Sequence, residues 1–197
     1  MVSFDIIGYL IFAFATSITP GPNNFMLLAY GKNHGLKDSG KLMFGIFMGF
    51  TIMLYVSGYG IASLITANKT IGLGLKIASS AWLLYLAFMI KNMSSNNGDV
   101  YDTKFGFSHG FFMQFANPKA YIMAVSGASA FMPQLGNIHL NVSIFAFSFG
   151  LVGVPSMLAW LTFGDAISRF TKSSKAHAIL GITLFLMMLM SILLIWM

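Results

Sequence analysis

The chain has 197 residues, 57% of them hydrophobic and only 8% charged, with a formal net charge of +6 and a mean hydropathy of +0.78. Too few polar side chains remain to cover a soluble globule, so the sequence reads as an integral membrane protein. The basic residues sit in short gaps between apolar runs rather than on one continuous face, which excludes a nucleic-acid surface. Cysteine is absent, which removes disulfides, thiolate nucleophiles and thiolate metal sites. The four histidines are far apart in sequence, so neither a metal nor another cofactor is expected.

Six apolar runs follow one another, at residues 4–30, 42–65, 71–90, 105–132, 140–164 and 178–197. Each reaches the roughly 20 residues that a helix needs to cross a hydrocarbon core about 30 Å thick. Together they leave room for a single transmembrane domain, residues 1–197, and for no soluble one. The longest connector, residues 91–104, carries the turn formers Ser94-Ser95-Asn96-Asn97-Gly98. A signal peptide opens on basic residues, whereas Met1-Val2-Ser3-Phe4-Asp5 offers an acidic one, so a retained first helix is expected. Lys32, Lys37, Lys41, Lys91, Lys104, Arg169, Lys172 and Lys175 fall in the gaps after the first, third and fifth runs. On the other side stands Lys69, with Lys76 slightly inside the third run. The basic side faces the cytoplasm, which places both termini outside.

The first and fourth runs are interrupted, by Thr19-Pro20-Gly21-Pro22-Asn23-Asn24 and by Gln114-Phe115-Ala116-Asn117-Pro118-Lys119. Interrupted hydrophobic segments in corresponding places of two halves point to a substrate site in a carrier. The expected fold is all-α, six transmembrane helices arranged as two three-helix inverted repeats, about 1–92 and 103–197, with the first and fourth helices broken at the prolines. Proline suits the first position of a helix, and Thr or Asn suits its cap, so Thr19-Pro20 and Asn117-Pro118 each read as the start of a half-helix inside the membrane. Residues 4–18 span only about 22 Å at 1.5 Å per residue, which puts the break within the bilayer or makes the segment re-entrant. Two half-helix N-termini meeting near the midplane suit a carboxylate. Lys119 lies among Phe111, Phe112, Phe115, Tyr121, Ile122 and Met123, with no acidic residue at matching depth in the other runs. Its expected partner is therefore the substrate; the alternatives are a lysine that snorkels to the interface and a fourth span that begins later than residue 105.

The substrate-binding candidates are Pro20, Gly21, Pro22, Asn23, Asn24, Gln114, Asn117, Pro118 and Lys119. Pro20 and Pro118 break helices, and Gly21 admits close approach to the backbone. Asn23, Asn24, Gln114 and Asn117 offer donors and acceptors. Against Asn23 and Asn117 stands the alternative that they only cap helices.

The first motif, followed by Gly31, His34-Gly35, Gly45 and Gly49, together with Phe115-Ala116-Asn117-Pro118-Lys119-Ala120, resembles the LysE/RhtB family of amino-acid exporters. The resemblance covers essentially the whole chain and is greatest to the branch exporting cysteine and O-acetylserine. It implies export of small amino acids or derivatives across a bacterial inner membrane, driven by proton antiport, and it carries over onto Pro20, Gly21, Pro22, Asn23, Asn117, Pro118 and Lys119. The lysine exporters of the family carry acidic residues in the membrane. The second run here has none, which favours neutral substrates.

Other features have simpler readings. Gly45-Ile46-Phe47-Met48-Gly49 is a GxxxG that lets helices pack closely, and Pro155 kinks the fifth run. Besides Lys119, Asp165 and His109 are candidates for proton coupling, each with an ordinary interfacial role as the alternative. Without Cys, Glu, an HExxH or a nucleophile elbow, an enzyme is not expected. The closer rival is a lipid or polyprenyl-phosphate carrier, whose head group would also suit helix N-termini. A homodimer is compatible with so small a carrier.

Overall fold

Side-chain caps set where several of the helices begin. The computed structural model of the chain describes residues 5–60, 68–95, 105–170 and 173–197. Asp5 accepts a hydrogen bond from the Gly8 amide (2.9 Å) to open the first helix. Asn68 accepts from the amides of Thr70 and Ile71 (both 3.1 Å), and Asn137 from those of His139 (2.9 Å) and Leu140 (3.2 Å). Each satisfies amides that a helix start leaves unpaired.

Among the described residues all regular structure is helical. The helices are α1 (Ile6–Ile18), α2 (Pro22–His34), α3 (Gly40–Gly58), α4 (Lys69–Ser95), α5 (Phe107–Ala116), α6 (Pro118–Phe131), α7 (Ile138–Phe170) and α8 (Ser174–Trp196), with a 3-10 turn at Lys37–Ser39. Four are long and apolar enough to cross a membrane: α3, α4 over Lys69–Lys91, α7, and α8 over Lys175–Trp196. The first and fourth apolar runs each hold two shorter helices, α1 with α2 and α5 with α6. At 33 residues, α7 is about 50 Å long, beyond a bilayer core, and it continues as helix through Pro155. Gly35 ends α2 with φ of 70°, a left-handed conformation that glycine adopts without strain, which explains the His34-Gly35 pair. Phe4, Ile65, Asn96-Asn97-Gly98, Lys104 and Lys172, used in reading the runs, lie outside the described residues.

Two hydrophobic clusters form the interior. One gathers Phe25–Tyr30 of α2 with Leu83, Leu86 and Ile90 of α4 and with Leu161, Leu184 and Met188. The other gathers Tyr9 and Ala13 of α1 with Phe50 and Leu54 of α3, Ala124 of α6, and Phe145 and Phe149 of α7. The outer surface is just as apolar: Ile7, Phe112, Ile122, Leu151, Phe163 and Leu193 are all more than half exposed. Such a surface belongs against lipid.

Glycine lets the helices of the interior touch backbone to backbone. A Cβ at Gly31 of α2 would collide with the Leu161 carbonyl of α7, and one at Gly164 of α7 with the Leu28 carbonyl of α2. On the other side, Gly45 of α3 faces the Phe107 carbonyl, and Gly49 faces Phe111 and Gln114, while Gly110 of α5 faces Leu42 and Ile46. The GxxxG is thus a packing device between α3 and α5. Gly74 of α4 has nothing within 4 Å of where a Cβ would be. Gly31→Ala is therefore expected to lower the thermal midpoint of the detergent-solubilised protein by several degrees, since overpacking costs about 1–3 kcal/mol. Gly74→Ala should leave it unchanged or raise it; equal effects of the two would contradict the close crossing.

Candidate functional site

A helix that ends among apolar side chains leaves carbonyls that must find partners, at a cost of several kcal/mol for each one unmet. At the end of α1 the partners are side chains from three other helices. Asn24 of α2 donates to the carbonyls of Ser17 (2.9 Å) and Thr19 (2.7 Å). Ser156 and Trp160 of α7 donate to Ser17 (2.8 Å) and Ile18 (3.0 Å). Lys119 of α6 reaches Thr19 (2.5 Å) and Pro20 (3.4 Å) through its Nζ. These carbonyls sit at the negative end of the α1 dipole, which suits an ammonium. The sequence left Lys119 with no partner in the protein; the structure supplies backbone oxygens from the opposite motif.

The two helix starts that follow the interruptions differ. Asn117 caps α6, its side chain accepting from the Lys119 amide (3.1 Å), with Pro118 at the first helical position. The residue capping α2 is Gly21, which has no side chain to offer, and Pro22 follows it. The first amides of α2 are left without a side-chain cap. A Cβ at Gly21 would lie 2.8 Å from Cδ and 3.4 Å from Nζ of Lys119, so a side chain there would push the lysine away from the start of α2.

Asn23 and Gln114, 91 positions apart, exchange two hydrogen bonds: Asn23 Nδ2 to Gln114 Oε1 (2.8 Å) and Gln114 Nε2 to Asn23 Oδ1 (3.1 Å). Gln114 also donates to the Gly110 carbonyl (2.9 Å), which fixes the orientation of its amide and hence that of Asn23. Fully buried, Gln114 has given away both amide protons. Asn23 is half-buried and retains one N–H and one lone pair. Gln114 therefore positions Asn23 rather than facing a ligand.

These groups surround a cavity of about 50 Å³. At one water per roughly 10–15 Å³ of such space it holds a few waters or a small solute. Of the candidates named from the motifs, Gly21, Asn23, Asn24, Asn117 and Lys119 line it. Pro20, Pro22, Gln114 and Pro118 are not among its lining residues, and Pro118 borders a second cavity with Tyr121, Lys76 and Leu194. Ser17, Gly150, Gly153, Ser156 and Met157 also line the first cavity. Four of these lie on α7 at spacings of three and four, a stripe that reads in sequence as ordinary packing. Asp165 and His109 are not among the lining residues. Asp165 pairs with Arg169 one turn on (2.8 Å), and His109 accepts from the Gly106 amide (3.3 Å). Among the described residues no group of three or more His, Asp or Glu is placed to hold a metal ion.

Comparison with known proteins places the chain in a family. The chain is 25% identical over 164 residues to the cysteine/O-acetylserine efflux protein of Klebsiella pneumoniae subsp. pneumoniae, covering 83% of this chain and 84% of that protein. It is 28% identical over 156 residues to the protein of that name from Salmonella paratyphi A, covering 78% and 79%. With the one from Escherichia coli O1:K1 it shares 26% identity over 159 residues, or 80% of each. No solved structure matches it significantly. The family model for LysE type translocators matches residues 14–197, nearly the whole chain. The chain is a multi-pass membrane protein of the LysE type translocator family, a family of transporters rather than enzymes.

Proposed function

We propose that this chain exports small neutral amino acids or their derivatives, of the cysteine and O-acetylserine kind, from a bacterial cytoplasm by proton antiport. One observation carries the reading: Lys119, the only ionisable side chain lining the cavity among the described residues, lies across an uncapped helix start and against a helix end. The start of α2 presents amides and positive potential, and the end of α1 presents carbonyls and negative potential, side by side. A zwitterion fits both. Its carboxylate takes Lys119 and the α2 amides, while its ammonium takes the Thr19 and Pro20 carbonyls that Lys119 gives up. Among the described residues the lining holds no carboxylate to meet a second cation, which disfavours dibasic substrates.

In this reading α1 with α2, and α5 with α6, are interrupted spans. Six spans form two inverted repeats in the inner membrane with both termini outside. The two glycine crossings then lie in the cytoplasmic half, and the cavity near the midplane. A lipid or polyprenyl-phosphate carrier would use the same uncapped start of α2; the match to LysE type translocators over residues 14–197 favours the amino-acid reading.

Counterflow of radiolabelled cysteine, O-acetylserine, threonine and homoserine in proteoliposomes is expected to show saturable exchange, and net efflux should rise with an inward proton gradient at fixed voltage. No flux for any amino acid would contradict the export reading, and indifference to the gradient would contradict antiport. Lys119→Met should raise the half-saturating concentration about 10- to 100-fold, the equivalent of the ~1.5–3 kcal/mol of a charged hydrogen bond; unchanged saturation would remove Lys119 from the site. Asn23→Ala leaves the buried Gln114 amide without its partner and should cost about 1–3 kcal/mol of stability as well as transport. The double variant Asn23→Leu with Gln114→Leu should recover the stability but not the flux. Recovery of both would make the pair purely structural.

A further inference from the structure

The zwitterion scheme leaves the substrate's side chain without a place, and the hydrogen bonds still unmade in the cavity wall show where one is offered. Asn24 has given both amide protons to the end of α1, and the Ser156 hydroxyl has given its own to Ser17. Asn23 keeps one N–H, at the start of α2 where the carboxylate is placed. Asn117 keeps both. It is 2% exposed, and its side chain makes one hydrogen bond, accepted by Oδ1 from the Lys119 amide. Its Nδ2 has no partner, yet it is not among the described atoms, such as the hydroxyls of Thr51 and Ser57, that are both unpaired and wholly enclosed. Asn117 lines the cavity, so its free amide protons face that space.

The cap aims these donors. Because Oδ1 must face the Lys119 amide, Nδ2 is turned to the other side. The backbone is held as well: the Asn117 amide donates to the Gln114 carbonyl (3.3 Å), and the Asn117 carbonyl accepts from the Ala120 amide (3.0 Å). Serine, threonine or aspartate would also cap the helix, but none would present a free N–H pair to the cavity. Position decides which part of a ligand meets them. Asn117 is bonded at the root of Lys119, to its backbone N–H, whereas Nζ at the tip of that four-carbon stem lies against the end of α1 and the start of α2. An amino acid held by its carboxylate at Nζ meets Asn117 with atoms farther along its own side chain. Donors there need an acceptor, and an ester carbonyl reaches farther from the α-carbon than a hydroxyl or a thiol.

We infer that Asn117 is a specificity-determining residue, which caps α6 through Oδ1 and donates through Nδ2 to a carbonyl oxygen in the substrate's side chain, selecting O-acylated amino acids over analogues without that oxygen. The inference rests on the export reading and adds to it the part of the substrate that is read. A site built to hydrogen-bond one group discriminates against the analogue lacking it, because its own donors are then left unpaired.

The test compares O-acetyl-L-serine with O-ethyl-L-serine, which has a methylene in place of the ester carbonyl, as competitors of radiolabelled O-acetyl-L-serine exchange in proteoliposomes. Wild type should favour the acetyl compound. Asn117→Ser keeps a cap and should leave the thermal midpoint near that of wild type, while cutting the preference about three- to tenfold, in line with the loss of one hydrogen bond. Asn117→Asp also caps, and its carboxylate repels the carbonyl oxygen, so it should cut the preference at least as far. Asn117→Ala should lose the preference and lower the midpoint as well. A preference that survives in both Asn117→Ser and Asn117→Asp would make Asn117 a cap only and overturn the inference. An equal loss for both compounds would put Nδ2 on the carboxylate and overturn it too. Wild type that shows no preference, or that exchanges serine or threonine but not O-acetylserine, would overturn it while leaving export intact. Wild type exchanging no amino acid at all would overturn the export reading and this inference together.

Discussion

The constraint on which the rest of the structure depends is that a helix ending in apolar surroundings must have its carbonyls met. Four consecutive carbonyls, from Ser17 to Pro20, terminate α1, and the side chains that meet them come from α2, α6 and α7. That requirement draws helices distant in sequence to one point. It also explains how Lys119 is accommodated without an acidic partner: two backbone oxygens at the negative end of a helix stand in for a carboxylate. The cavity lies at this point because hydrogen bonds to an irregular backbone hold the helices there at a distance that side-chain interdigitation alone would close.

Close packing elsewhere complements this. Where α2 crosses α7 and α3 crosses α5, glycines bring backbones into contact, and neither crossing contributes its contacting glycines to the cavity wall. Three other glycines, at positions 21, 150 and 153, do line it, and each makes room for a polar side chain. Glycine thus has two uses in one bundle. At the crossings it removes space, and at the cavity it provides it. The two hydrophobic clusters meet at the same place: Ile46 and Met157 of one and Phe50 and Met123 of the other share the cavity wall.

Much of this was legible in the residues because it is local. Proline at a first helical position and Asn117 as a cap depend on near neighbours in sequence, and α6 starts at Pro118 where those signals put it, whereas α2 starts at Pro22 rather than at Pro20, because Thr19 closes α1 instead of capping the next helix. Composition alone carried the membrane class. What was not legible depends on contacts across the chain. Gln114 reads as a ligand group but is spent on Asn23 and Gly110, and Asn24 reads likewise but is spent on the end of α1. On α7, Pro155 drew attention as a kink, while its neighbour Ser156 holds the end of α1. No periodicity separates a cavity stripe such as Gly150, Gly153 and Ser156 from a packing stripe, since both need small residues at the same spacing.

The natural absence of cysteine makes the central claim, a water-reached amino-acid site between α1, α2 and α6, directly testable with one introduced thiol. Met123→Cys places it on the cavity wall, away from every hydrogen bond described above. The rate of its modification by a small water-soluble thiol reagent would be measured in proteoliposomes with and without saturating serine, O-acetylserine or threonine. The account predicts that the thiol is reached from water and protected by at least one of these amino acids. A thiol that is unreactive, or equally reactive whichever amino acid is present, would contradict it.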